Sequence, residues 1–204
     1  LLIVVLQVDQ IGLVVLEVAV DSLPVAASAV VEAAEAVSNM IYTSHYLSPL
    51  GDILLASLNN ELIGLWFKDQ KYYLSFIKGE IKEKNDERIL LQAKNWLDRY
   101  FKGEKPNIAE LKCNPIGSDF QKQVWKILCE IPYGKTITYK EIAKKIAKEK
   151  GLKSMSAQAV GGAVGHNPIS IIIPCHRVVG SNGNLTGYAG GLDKKEYLLR
   201  LEKR

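Results

Sequence analysis

The chain has 204 residues, 48% of them apolar, with 26 Lys and Arg against 22 Asp and Glu, the make-up of an ordinary globular protein with room for one domain or two small ones. Charge is uneven: no Lys or Arg precedes Lys68, while Asp9, Glu17, Asp21, Glu32 and Glu35 fall within residues 1–39, so beyond them the 26 basic residues face only 17 acidic ones, a formal +9 that suits a polyanionic partner. The three cysteines, Cys113, Cys129 and Cys175, show neither CxxC pairing nor Cys/His ligand spacing; this excludes a disulfide framework and a structural zinc site, and points to reduced thiols in the cytoplasm.

Residues 1–39 open with LLIVVLQVDQIGLVVLEVAV, apolar but broken by Gln7, Asp9, Gln10 and Glu17 before it could span a bilayer, and without the basic start of a secretory signal. Two readings stand: an extension foreign to a chain that starts at Met40, or a β-rich strand followed by an Ala/Val/Glu helix packed on the body. From Ile41 the runs IYTSHYL, DILLASL and LIGLWF are β-prone and joined by turn chemistry at Ser48-Pro49-Leu50-Gly51 and Asn59-Asn60, which predicts an antiparallel meander. Ile89, Leu90, Ala93, Trp96, Leu97, Tyr100 and Phe101 then repeat at helical spacing, with Gly103 and Pro106 as stop signals.

Lys102 to Gly117 has no sustained period and reads as a linker, dividing the chain into domains at 40–112 and 113–204. Ser118-Asp119-Phe120-Gln121 is a capping box, opening a helix whose face is Phe120, Val124, Ile127 and Leu128 and which Pro132-Tyr133-Gly134 breaks. Next comes a helix with Ile142, Ala143, Ile146 and Ala147 inward, a tight turn at Gly151, and a helix near Ser154 to Gly165 with Ala157, Val160, Gly161 and Val164 inward. The pattern resembles a helix-turn-helix, but by itself it slightly favours an ordinary helical hairpin. The second helix turns Gln158, Ala159, Gly162 and Gly165 outward. With one Gln it is poorly equipped to read bases in a major groove, and its lack of bulk suits close approach to a sugar-phosphate wall or a widened minor groove, with little sequence preference.

Ile171-Ile172-Ile173 reads as a buried strand ended by Pro174, so that Cys175 emerges at the strand's end, and the polar pair His176-Arg177 places it at a surface or cleft. Cys113 and Cys129 read as small core hydrophobes. A free thiol is only a few per cent ionised at neutral pH, so a nucleophilic Cys175 needs a base or positive charge, which His176 could supply through a turn or a bridging water. The residues alone leave its substrate open, a cysteine hydrolase included.

NPISIIIPCHRVVGSNGNLTGYAGGLDKKEYLLRLE closely resembles the active-site region of the O6-alkylguanine-DNA alkyltransferases, and weaker similarity runs back through SAQAVGGAVGHNP and ITYKEIA to about Met40. The resemblance implies a small ribonuclease-H-like antiparallel-sheet domain followed by a mostly helical domain with a helix-turn-helix, an α/β (α+β) chain. It implies a monomer that needs no cofactor or metal and acts on double-stranded DNA containing alkylated guanine, without a membrane. It makes Cys175 the alkyl acceptor, His176 a base working through water, Glu202 its orienting carboxylate, Asn167 a support of the turn, and Tyr139 the residue against the flipped base. It also makes Val178, Tyr188, Ala189 and Gly190 part of the base pocket and places Gln158, Ala159 and Gly162 on DNA, with Gln158 where an intercalating Arg is common. Two rivals remain: a damage-binding protein without a nucleophile, against which Cys175 argues, and a hydrolase or redox thiol protein, for which neither oxyanion motif nor CxxC is present.

Overall fold

A computed structural model describes residues 6–8, 14–16, 40–75 and 77–203, and the chain divides into two compact units, Leu1–Ser38 and Asn39–Arg204. In the first, β1 (Leu6–Val8) pairs antiparallel with β2 (Val14–Leu16), Gln7 opposite Val15. The helix expected to follow them lies outside the described residues.

The second unit opens with the expected meander: β3 (Ile41–Ser48), β4 (Gly51–Leu58) and β5 (Glu61–Phe67) are consecutive antiparallel neighbours. Asn59 and Asn60 both adopt positive φ (52° and 58°), which lets two residues close a hairpin whose twist matches its strands. A short strand, β6 (Ile81–Glu83), adds parallel to β3 and gives the order β5-β4-β3-β6. Ile53 to Ser57 of β4 are all buried, because both faces of the sheet are covered. Ile53 and Leu55 join the core built with α1 (Arg88–Phe101), while Ala56 belongs to a second cluster with Ile41, Ile63 and Trp66. α1 buries Ile89, Leu90, Ala93, Trp96, Leu97 and Tyr100, the face read from the period, each large side chain contributing roughly 1.5–3 kcal/mol.

The linker is more ordered than its aperiodic sequence indicates. Asn107 caps a 3-10 turn, Ile108–Glu110, and the chain then runs along the outer edge of β5, where Leu62 N donates to Lys112 O (2.8 Å) and Asn114 N to Leu62 O (2.8 Å). Further along the same edge, Leu65 N donates to Pro168 O (2.8 Å) and Ser170 N to Leu65 O (3.0 Å). The strand edge is therefore paired by two later segments rather than left open, and the second of these leads to Cys175.

The later half carries α2 (Asp119–Cys129), opened by the Ser118/Gln121 capping box, then α3 (Tyr139–Glu149), α4 (Ala157–Gly165) and α5 (Leu192–Glu202). Two residues before α3, β7 (Ile137–Thr138), pair in parallel with β8 (Val178–Val179). Trp125 of α2 donates its indole N–H to Ala163 O (2.8 Å), tying α2 to α4. α3 buries Ile142, Ala143, Ile146 and Ala147 as expected. In α4 the buried set is Val160, Ala163 and Val164; Ala157, expected inward, is exposed as the first residue of the helix, and Gly161 is half-buried. Gln158, Ala159 and Gly162 are exposed and Gly165 is half-buried.

Ile171-Ile172-Ile173 is not a strand. These residues are buried in consecutive turns, with Ile171 at φ 68°, and Cys175 begins a 3-10 turn, Cys175–Arg177. The physical reason lies in Asn167, whose side chain does the work of a neighbouring strand: Nδ2 donates to Ile173 O (2.8 Å) and Ile169 O (3.2 Å), and Oδ1 accepts from Ile169 N (3.1 Å). Local bonds from Ile172 N to Ser170 O, Ile173 N to Ile169 O and Cys175 N to Ile173 O add to these.

Candidate active site

Cys175 sits in this turn with 4% exposure, and His176 and Arg177 are at 0% and 6%. The polar pair therefore does not mark a surface; it is buried because it is paired. Asn167 Nδ2 donates to Cys175 Sγ (3.1 Å), so one amide shapes the turn and holds the sulfur. Burial raises the thiol to about 11 against the pull of Asn167 and Lys195. At rest it is a neutral thiol, and any reaction must remove its proton.

His176 Nε2 lies 2.7 Å from Glu202 Oε1. Burial lowers the imidazole from its usual 6.5 despite that carboxylate. Burial also works against ionisation of Glu202, but hydrogen bonds from His176 and Arg177 outweigh it and hold Glu202 well below the usual carboxylate range. We therefore assign a charged Glu202 and a neutral His176. An ionised carboxylate only accepts, so Nε2 carries the ring proton. That leaves Nδ1, buried and without a hydrogen-bond partner among the described residues, as the lone-pair nitrogen.

Three further donors converge on Glu202. Arg177 bonds it twice, Nε to Oε2 and Nη2 to Oε1 (both 2.9 Å), while its Nη1 donates to Ile131 O. Tyr100 Oη donates to Oε1 (2.7 Å) and Gly134 N to Oε2 (3.1 Å). Gly134 has φ 72°, and a Cβ there would stand 2.7 Å from Glu202 O, so this position, just beyond the end of α2, is one that only glycine fills without strain. Burial and the neighbouring carboxylate raise Tyr100 well above its usual value, so it remains a donor.

Tyr139, the first residue of α3, donates from Oη to Thr186 O (3.1 Å), with its ring 3.8 Å from where a Cβ on Gly161 of α4 would stand. Burial raises its hydroxyl, and Cys175 adds to the rise. Lys195 of α5 is fully buried and donates to Thr186 O (2.7 Å) and Gly187 O (3.2 Å). Burial lowers its amine to about 8, opposed by Cys175. The glycine-rich loop is thus held at Thr186 and Gly187, and again where Lys71 N donates to Ala189 O (3.0 Å).

Tyr188 packs edge-on to Phe67 (centroids 6.3 Å apart), and a Cβ on Gly190 would stand 2.8 Å from the Phe67 ring. Val178 is fully buried in β8 opposite Ile137 and belongs to the core. Among the described residues no group of three or more His, Cys, Asp and Glu side chains is placed to hold a metal ion.

Residues 41–115 match the 6-O-methylguanine DNA methyltransferase ribonuclease-like domain, and residues 119–204 match the DNA-binding domain of the same enzyme. The chain belongs to the 6-O-methylguanine DNA methyltransferase family. It is 49% identical to the methylated-DNA–protein-cysteine methyltransferase of Methanosarcina barkeri over 76% of this chain and 93% of the relative. Against that of Methanosarcina acetivorans the identity is 45%, over 79% and 98%. Among solved structures, Mycobacterium tuberculosis OGT in complex with DNA is 39% identical with a TM-score of 0.65, over 80% of this chain and 92% of that one. Membership carries the enzyme class, methylated-DNA–protein-cysteine methyltransferase, and the mixed α/β fold with its antiparallel-sheet domain and helical domain.

The structure joins Asn167 to Cys175 and His176 to Glu202 as two hydrogen-bonded pairs on one turn, and ties Tyr139 to Thr186 of the glycine-rich loop. Gln158, Ala159 and Gly162 lie apart, exposed on α4. Tyr100, Arg177 and Lys195 were missed by sequence reasoning. For Lys195 a signal existed: it shares a helical face with Leu198, Leu199 and Glu202 at i, i+3, i+4 and i+7, and a lysine on a buried stripe needs a partner.

Proposed function

We propose that Cys175 is the acceptor in a single-turnover repair of alkylated DNA, taking the alkyl group from O6 of guanine, and from O4 of thymine, after the nucleotide has been flipped out of the duplex. The observation that carries the reading is a buried neutral thiol beside a neutral imidazole whose proton position is set by an ionised Glu202. His176 Nδ1 takes the thiol proton through a bridging water, and Glu202 balances the imidazolium that results. Sulfur attacks the alkyl carbon in line, the S–C bond forms as the C–O bond breaks, and the electron pair leaves on the base. Tyr139 supplies the proton or hydrogen bond that makes the base a better leaving group. The thioether does not revert, so each molecule acts once.

A base in a stacked duplex is out of reach of a cysteine that is only 4% exposed, which makes extrusion necessary at a cost of about a few kcal/mol. The uncharged, low-relief face of Gln158, Ala159 and Gly162 suits a helix lying in the minor groove, with Gln158 filling the gap left by the base. Tyr188, Ala189 and Gly190 form the pocket wall, and the protein acts as a monomer in the cytoplasm.

Incubation with a duplex oligonucleotide bearing O6-methylguanine, followed by intact-protein mass spectrometry, tests this. The expected result is a gain of one methylene on Cys175, once per molecule. Tight binding with unchanged mass would instead identify a damage-binding module, and repeated turnover a different chemistry.

A further inference from the structure

We infer that Tyr100 is a positioning residue for the transfer, one that acts through Glu202 to set how strongly His176 holds a proton. The inference rests on the repair reading above, in which His176 must begin neutral in order to take the thiol proton. Tyr100 enters from α1, 102 residues before Glu202 in the chain, so the domain matched at residues 41–115 supplies a group to the centre that handles the proton.

Three side chains donate to the same oxygen. Glu202 Oε1 accepts from Tyr100 Oη (2.7 Å), from His176 Nε2 (2.7 Å) and from Arg177 Nη2 (2.9 Å). Each donor draws charge out of the carboxylate and so weakens its hold on the others. A carboxylate shared among fewer donors would stabilise the imidazolium more firmly, and a ring already protonated has no lone pair for the thiol proton. Tyr100 Oη also lies 3.4 Å from His176 Nε2, where its lone pair would favour the imidazolium. That contact is far longer than the 2.7 Å bond to Oε1, so donation to the carboxylate is the larger effect.

The hydroxyl is held where it is by packing. Tyr100 is 1% exposed, its ring stacks on Trp96 (centroids 5.4 Å apart) and meets Tyr133 edge-on (6.0 Å). Trp96 is fixed in turn by its indole N–H on Asn107 O (2.9 Å). The charged and titratable groups facing His176 are Glu202 and Lys195 from α5, Cys175 and Arg177 from its own turn, and Tyr100 from α1. Arg177 and Lys195 disfavour a proton on the ring by their charge. Tyr100 is neutral, so deleting its hydroxyl changes the donation to Glu202 without adding or removing a charge.

The test is the pH titration of the His176 ring, followed by NMR in the folded protein without DNA, so that it fails independently of the repair reading. The chain has three histidines, and His45 and His166 serve as internal references. Tyr100→Phe keeps the ring and removes the donor, so the His176 midpoint should rise by about 0.5–1 pH unit, a gain in basicity of roughly three- to tenfold. Single-turnover methyl transfer should then begin to fail at a correspondingly higher pH. Tyr133→Phe removes a neighbouring buried hydroxyl that has no hydrogen-bond partner among the described residues, and should leave the midpoint in place. An unmoved or lowered midpoint in Tyr100→Phe, or an equal rise in Tyr133→Phe, overturns the proposal, as does a rate depressed by the same factor at every pH. If Tyr100→Phe does not fold, 3-fluorotyrosine incorporated at position 100, a stronger donor of nearly the same shape, should lower the midpoint; a midpoint that it leaves unchanged overturns the proposal equally.

Discussion

Glu202 accepts five hydrogen bonds from four residues, Tyr100, Gly134, His176 and Arg177, and this density allows a carboxylate to stay ionised in a buried place. Glu202→Gln removes the charge and brings N–H groups among existing donors, so a loss of about 3–5 kcal/mol is expected in urea unfolding at neutral pH. The carboxylate's folded value is depressed, so its stabilisation is present above the unfolded value, roughly 4.3, and is lost as pH falls through the folded one. The gap between wild type and variant should therefore narrow in acid; a gap constant with pH would show that Glu202 is not ionised. For His176, lowered from 6.5 by burial, methyl transfer should hold steady from mildly alkaline pH to about 6.5 and fall only below it, as single-turnover rates would show. Cys175 and His176 could be singled out because adjacent reactive residues stand out in a sequence. Tyr100 could not, since its place on the apolar face of α1 looks like any other core position.

Elements with a period were legible and those without one were not. α1, α3 and the meander follow their apolar repeats, whereas Ile171 to Ile173 are buried on all sides, and a fully buried run has the same pattern as strand or turn. What decides between them is a single amide three residues upstream of the 170–173 turns. Asn167→Ala would leave Ile169 N–H without its partner and Ile173 C=O with the Cys175 N–H alone, an expected loss of about 1–3 kcal/mol. It also frees Cys175 Sγ from its donor, so the thiol should ionise at higher pH; an unchanged pH dependence of alkylation by iodoacetamide would remove Asn167 from that role. On α4, Gln158→Ala should slow repair of duplex more than of single-stranded substrate, because only a duplex has a stack to fill. Equal slowing of both would exclude Gln158 as the wedge.

At the scale of the molecule the sheet domain, residues 41–115, helps build the surroundings of Cys175. β5 pairs with the turn at Pro168 and Ser170, the buried Gln70 lies 3.4 Å from the Ser170 hydroxyl, and Tyr72 stacks on His166 at the end of α4, centroids 3.8 Å apart. One strand and the loop after it thus touch α4, the turn carrying Cys175 and the glycine-rich loop, although more than 90 residues of chain separate them. Contacts of that sequence separation leave no local period, which is why two domains could be read from the chain but not their joint. A further close approach is at Gly190, where a Cβ would meet the buried Phe67 ring at 2.8 Å. Gly190→Ala should push the loop from the sheet and slow methyl transfer, while Phe67→Leu, by removing ring atoms, should make room for that methyl. In the double variant the transfer rate should then recover toward that of Phe67→Leu alone, a coupling of about 0.5–3 kcal/mol between residues in contact. Strictly additive effects on the single-turnover rate would mean that the first domain supports the fold without shaping the pocket.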